Sequence, residues 1–69
     1  MTKIIISDFT KPELDNFREN CNFVNLEIPF FELRSQGVPI ETIAEELNIA
    51  VSTAHNLSRK VNKKIIKVL

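Results

Sequence analysis

Ile40-Glu41-Thr42-Ile43-Ala44-Glu45-Glu46-Leu47-Asn48-Ile49-Ala50-Val51-Ser52-Thr53-Ala54-His55-Asn56-Leu57-Ser58-Arg59 is the stretch that decides the fold. Ile40, Ile43, Ala44 and Leu47 recur at i, i+3, i+4 and i+7, the spacing of one helix face. A second stripe starts at Ala54 and runs through Leu57, Val61, Ile65 and Val68, with spacings of 3, 4, 4 and 3. Between them Asn48-Ile49 is a break, and asparagine is among the few non-glycine residues that accept a left-handed backbone. Ile43, Leu47, Ile49, Ala54 and Leu57 supply apolar contacts where two helices cross, and Ala44 is small where they approach closest. Together these residues make one geometric demand: two helices crossing steeply through a tight turn, with the second projecting from the body.

Toward the N-terminus, Pro39 fits the first position of the helix that opens this stretch. Glu41 places a carboxylate in its first turn, at the positive end of the helix dipole. Gly37 stands where a left-handed cap would close a preceding helix. That helix opens at Asn25 or Ile28, carries Pro29 in its first turn and draws an apolar face from Phe30, Phe31 and Leu33. An earlier helix starts at Thr10-Lys11-Pro12-Glu13, with Thr10 as N-cap, Pro12 tolerated in the first turn and Glu13 completing a capping box. Leu14, Phe17 and Cys21 mark its buried stripe, and Asn20 and Asn22 its end. Ser52 or the residue before it caps the last helix, which runs toward Val68.

The expectation is an all-α, four-helix small bundle containing a helix-turn-helix. Residues 10–69 form the domain and residues 1–9 an N-terminal arm. The isoleucines of Lys3 to Ile6 suit a short extended segment, an apolar strap laid across the helices, or simply a disordered end.

Sixty-nine residues limit what such a bundle can do. A chain this short buries only about 60% of the surface its unfolded form exposes, leaving no room for both a scaffold and a deep catalytic cleft. The single cysteine forms no internal disulfide, which fits a reducing, cytoplasmic setting. No apolar run approaches the roughly 20 residues needed to span a bilayer. Met1 to Asp8 holds too short an apolar run for a secretory signal. His55 is the only histidine, and Cys21 lies on another helix stripe, so neither a metal-ligand set nor a nucleophile–base pair is assembled. No membrane partner, catalytic residue, metal or cofactor is expected, and the chain does not read as an enzyme.

The formal charge is zero, but its distribution is not even. Residues 1–49 hold four basic and nine acidic residues, a balance of −5. Residues 50–69 hold Arg59, Lys60, Lys63, Lys64 and Lys67 and no acid, a balance of +5. A polyanion responds to the local field more than to net charge. A basic C-terminus complementing its own helix dipole accounts for some of these lysines, but not for a whole segment empty of acids.

The segments Phe30-Phe31-Glu32-Leu33-Arg34, Gly37, Glu41 to Ile49 and Ser52-Thr53-Ala54 resemble the helix-turn-helix of bacterial sigma factor region 4 and of LuxR-type response regulators. Those families read roughly as LELR-x-x-G-x-x-x-x-x-IAEEL-x-I-S-x-x-TV, and the likeness covers about Phe23 to Ile65. The whole chain also looks like small sigma-like proteins of Firmicute genomes and their phages. It departs from the pattern at Ala54, where valine or isoleucine is usual, at Val38-Pro39, which replaces a polar cap, and at Asn48, which replaces glycine.

The resemblance implies sequence-specific binding of double-stranded DNA and transcription control, with a recognition helix at about 51–67. Carried over, the readout face is Ser52, Thr53, His55, Asn56, Arg59 and Lys60. The side-chain chemistry suits this: Arg59 can pair with guanine O6 and N7, and Asn56 can contact adenine twice. Ser52 and Thr53 at a helix N-terminus can grip phosphate, although Ser52 also suits plain capping. Lys63, Lys64 and Lys67 lie further along and serve phosphates or a solvated helix face. Arg34 touches phosphate or pairs with Glu45 or Glu46. An alternative partner is RNA polymerase or another regulator, met through an acidic half made of Glu27, Glu32, Glu41, Glu45 and Glu46. Ile66 and Leu69, or Ile4 to Ile6, offer a homodimer seam or cover a thin core.

Overall fold

The computed structural model describes residues 5–69. A 3-10 turn at Ile6–Asp8 leads into α1 (Lys11–Asn20), α2 (Glu27–Ser35), α3 (Ile40–Leu47) and α4 (Val51–Val68). The all-α bundle read from the sequence is therefore present. The first helix starts as its capping residues dictate. Thr10 N–H donates to Glu13 Oε1 at 2.9 Å, and Glu13 N–H donates to Thr10 Oγ1 at 3.4 Å, with Pro12 in the first turn.

Of the three readings of the N-terminal isoleucines, the packed strap fits the described part. Ile5 is extended, but the chain then turns, and Ile6 is buried against the bundle instead of continuing a strand. The 3-10 turn packs on α2, and Phe9 meets Phe17 edge to face at 4.9 Å between ring centres. Lys3 and Ile4 lie outside the described residues.

Two left-handed residues set the path of the second half. Gly37 (φ 85°) ends α2, with its N–H donating to Arg34 O at 2.9 Å and Val38 N–H to Leu33 O at 3.2 Å. Asn48 (φ 56°, ψ 48°) ends α3 in the same way, with Ile49 N–H donating to Ala44 O at 2.9 Å. Both are reciprocal closures that satisfy the last helix carbonyls and turn the chain sharply. Asparagine tolerates this conformation because its short polar side chain bonds locally.

Helix starts moved by a residue or two. Pro39 is the N-cap of α3, outside the helix, with φ −62° and ψ 151°. The second helix opens at Glu27, between the two positions expected. The cap of α4 is Ala50, so Ser52 lies inside the first turn and makes no capping bond.

The core holds Ile6, Leu14, Phe17, Cys21, Phe30, Phe31, Ile43, Ala44, Ala54, Leu57, Val61 and Ile65. Every other helix packs on α4, α3 most extensively. Ala44 and Ala54 are 2% and 0% exposed, so the α3–α4 crossing has no slack for a larger residue. Overpacking a filled core forces side chains off their rotamers, at about 1–3 kcal/mol. Ala54→Val, which restores the residue of the resembled pattern, should lower the unfolding free energy by about 1–3 kcal/mol and with it the urea midpoint. A raised midpoint would show that the crossing has room.

Candidate nucleic-acid interface

Helix α4 carries buried Ala54, Leu57, Val61 and Ile65 on one side. At about 100° per residue, Ser52, Asn56, Arg59 and Lys63 (spacings 4, 3 and 4) fall on the side directly opposite. Lys60 and Thr53 lie on one flank of this stripe, and His55 on the other. All seven candidate residues are exposed, so the fold brings the sequence-derived set onto one surface. Arg59 and Asn56 are close enough for Arg59 Nη1 to donate to Asn56 Oδ1 at 3.4 Å, a long and weak bond that leaves both groups free to turn outward.

At the N-terminal end of this surface the first intrahelical bond is Ala54 N–H to Ala50 O, at 3.1 Å. The amides of Val51, Ser52 and Thr53 precede it and have no helical acceptor. No side chain caps them. The Ser52 hydroxyl, released from capping, is available beside them. Helix α4 contains no acid, and Arg59, Lys60, Lys63 and Lys67 form no ion pair among the described residues.

Lys64 does not belong to this group. Its Nζ donates to Asn22 O at 3.1 Å and pairs with Glu27, whose side chain is only 7% exposed. Glu27 Oε1 also accepts Val24 N–H at 3.2 Å, so one carboxylate ties the α1–α2 connection to α4. Burial pushes the Glu27 pKa up, but the Lys64 and Val24 hydrogen bonds, with the Lys64 and Lys60 charges, hold it below the ordinary 4.5. The same burial raises the Cys21 thiol, against a weaker opposing pull from Lys64. No sequence signal marked Glu27 as buried; its position at a helix start made it look solvated.

Two further side chains take places other than those expected. Arg34 Nη1 donates to Val38 O at 2.7 Å, so it ties down the α2–α3 turn, and it forms no ion pair with Glu45 or Glu46. Glu32 is held by Arg18 through Nε at 2.5 Å and Nη2 at 2.8 Å. With Glu27 and Glu32 both paired, the proposed acidic half shrinks to Glu41, Glu45 and Glu46, exposed on α3 and without an ion pair among the described residues. Among the described residues no group of three or more His, Cys, Asp or Glu is placed to hold a metal ion, and no helix is long and apolar enough to cross a membrane.

No family model, curated protein or solved structure matches this chain.

A carboxylate whose pKa is lower folded than unfolded adds stability above its unfolded value. That contribution drains away as pH falls through the folded one. Wild-type unfolding free energy should therefore decline below about pH 5. Glu27→Gln should be less stable by roughly 1–3 kcal/mol at neutral pH, because Lys64 loses its charged partner. The variant should also show a shallower acid decline. Parallel wild-type and variant profiles in urea titrations at several pH values would rule out this linkage.

Proposed function

We propose that this protein is a sequence-specific double-stranded DNA-binding transcription regulator, acting in the cytoplasm and not as an enzyme. The observation that carries the reading is the outward stripe Ser52, Asn56, Arg59 and Lys63 on α4, exposed and backed by a rigidly packed apolar face. A helix that projects beyond a tight turn can lay its N-terminal half in a major groove. There Asn56 and Arg59 reach base edges, with Thr53 and His55 at the sides of the contact. Ser52 and the open amides of the first turn meet a phosphate. Lys60, Lys63 and Lys67 track the backbone, where charge sets affinity but not sequence. The resemblance to sigma region 4 and LuxR-type units supports the same assignment.

A second reading has one observation in its favour. Glu41, Glu45 and Glu46 remain exposed on α3, a surface that could dock on RNA polymerase or another regulator while α4 holds DNA.

Selection from a random duplex library, followed by fluorescence anisotropy on the enriched sequence, tests the main reading. Affinity should fall steeply with salt, because each neutralised phosphate releases counterions and adds about −0.9 to the log–log slope. Arg59→Ala should cost about 1–3 kcal/mol and relax preference at one base pair. Lys63→Ala should weaken all duplexes alike and reduce the salt slope by about 1. Lys64→Met should leave that slope unchanged. No enrichment and no shift at low salt, with Arg59→Ala and Lys60→Ala both silent, would sink the proposal.

A further inference from the structure

Most of the exposed large apolar side chains gather in two places. Val24 and Leu26 in the α1–α2 connection and Ile28 in the first turn of α2 are 46%, 39% and 51% exposed. Beside Ile28 runs a shallow groove of about 270 Å³, lined also by Phe23, Arg18, Glu19 and Glu32. It falls short of the roughly 300–1,000 Å³ of pockets that hold drug-sized ligands, and suits a protruding side chain better. The other place is the C-terminal half of α4, where Ile66 is 51% exposed between Lys63 and Lys67.

The two places are opposite in charge. Glu19 and Glu32 line the groove with Arg18, which already serves Asp15 at 2.5 Å and Glu32, while Lys64, bonded to Asn22 O beside it, is paired with Glu27. Glu19 has no ion pair among the described residues. The rim therefore carries excess negative charge, while Lys63 and Lys67 beside Ile66 are uncompensated. An apolar knob ringed by cations and an apolar groove ringed by carboxylates are complementary surfaces.

One chain cannot bring its own two surfaces together. Lys64 faces the α1–α2 connection, since it bonds Asn22 O and Glu27 there. Ile66 lies two residues further, about 200° around the helix, and so points away from that connection.

We propose that this protein associates with itself head to tail, with Ile66, Lys63 and Lys67 of one copy seated on the Val24–Ile28 surface of the next. Such a contact is heterologous: each pair keeps one unused knob and one unused groove, so association does not stop at two. The attraction includes exposed charges and weakens with salt. It draws on Lys63 and Lys67, which the DNA-binding reading also uses, so duplex DNA would compete with it; its test contains no DNA.

Sedimentation velocity of the full chain at low and high micromolar concentration provides the test, with Ile28→Asp, Ile66→Asp and an equal mixture of the two. Both positions are on the surface, and circular dichroism verifies that each variant folds. Wild-type average mass should rise with concentration, and each variant alone should lose at least about tenfold in affinity. The mixture should form pairs and go no further, because Ile28→Asp retains the knob and Ile66→Asp retains the groove. A wild type that stays monomeric throughout overturns the proposal. So does Ile28→Asp associating like wild type, or a mixture that fails to pair while wild type associates.

Discussion

The apolar stripe of α4 is the surface on which every other helix of this protein closes. Ala54, Val61 and Ile65 are wholly buried, and α1, α2 and α3 all pack against this one helix. A chain of 69 residues has too little apolar surface to build a core without such sharing. The constraint has a functional side. Because one face of α4 is committed along most of its length, the opposite face is held at a fixed orientation to the body without spending any of its own side chains. Ser52, Asn56, Arg59 and Lys63 are rigidly presented because Ala54, Leu57, Val61 and Ile65 are rigidly buried. An interface on a packed helix holds its geometry better than one on a loop.

The ion pairs sort the charges of the molecule by task. Glu27 and Lys64 join α4 to the α1–α2 connection, and Glu27 also holds the Val24 amide. Burying a carboxylate is costly, and it is tolerated here because the Lys64 ammonium and the Val24 N–H both donate to it. Arg18 bridges α1 to α2 through Asp15 and Glu32, and its guanidinium lies 5.6 Å from the centre of the Phe31 ring. Arg34 is spent on a turn carbonyl. After these commitments, the cations left on α4 all lie on its outer side. The basic segment of the sequence is therefore part fastening and part open surface.

Much of this architecture was legible because local rules and packing agree. Thr10-Lys11-Pro12-Glu13 specifies a helix start through bonds within four residues, and the cap forms as written. The stripe of α4 follows from spacing alone. Asn48 as a left-handed turn follows from backbone chemistry, and so does Gly37. What sequence missed depends on contacts distant in the chain. Lys64 meets Glu27 from 37 positions away; periodicity sets it nearer the buried stripe than Lys63, but cannot say which carboxylate it meets. The burial of Ile6 likewise depends on α2 lying across the 3-10 turn. Ser52 looked like a cap by residue type, yet Ala50 holds that position because the Asn48 turn fixes where helical geometry resumes. The candidate readers were legible as exposed positions on α4; which cations stay free was not.

Adjacent helices of opposite charge also limit how a polyanion can approach. Glu41 and Glu45 lie on the outer side of α3, while Arg59, Lys60, Lys63 and Lys67 lie on the outer side of α4. A phosphate backbone crossing α3 would meet unpaired carboxylates within the Debye length of about 10 Å at moderate salt, where repulsion is not screened away. On the DNA-binding proposal, the favourable approach would keep α3 turned from the strands and bring α4 in along its outer stripe, with the acids opposing the wrong orientation. Such selection by repulsion costs α3 a little, roughly 0.2–0.5 kcal/mol for the like-charged i,i+4 pair Glu41–Glu45, which Ile43 and Ala44 in the core offset. The zero net charge thus comes from two regions of opposite sign, residues 1–49 at −5 and residues 50–69 at +5.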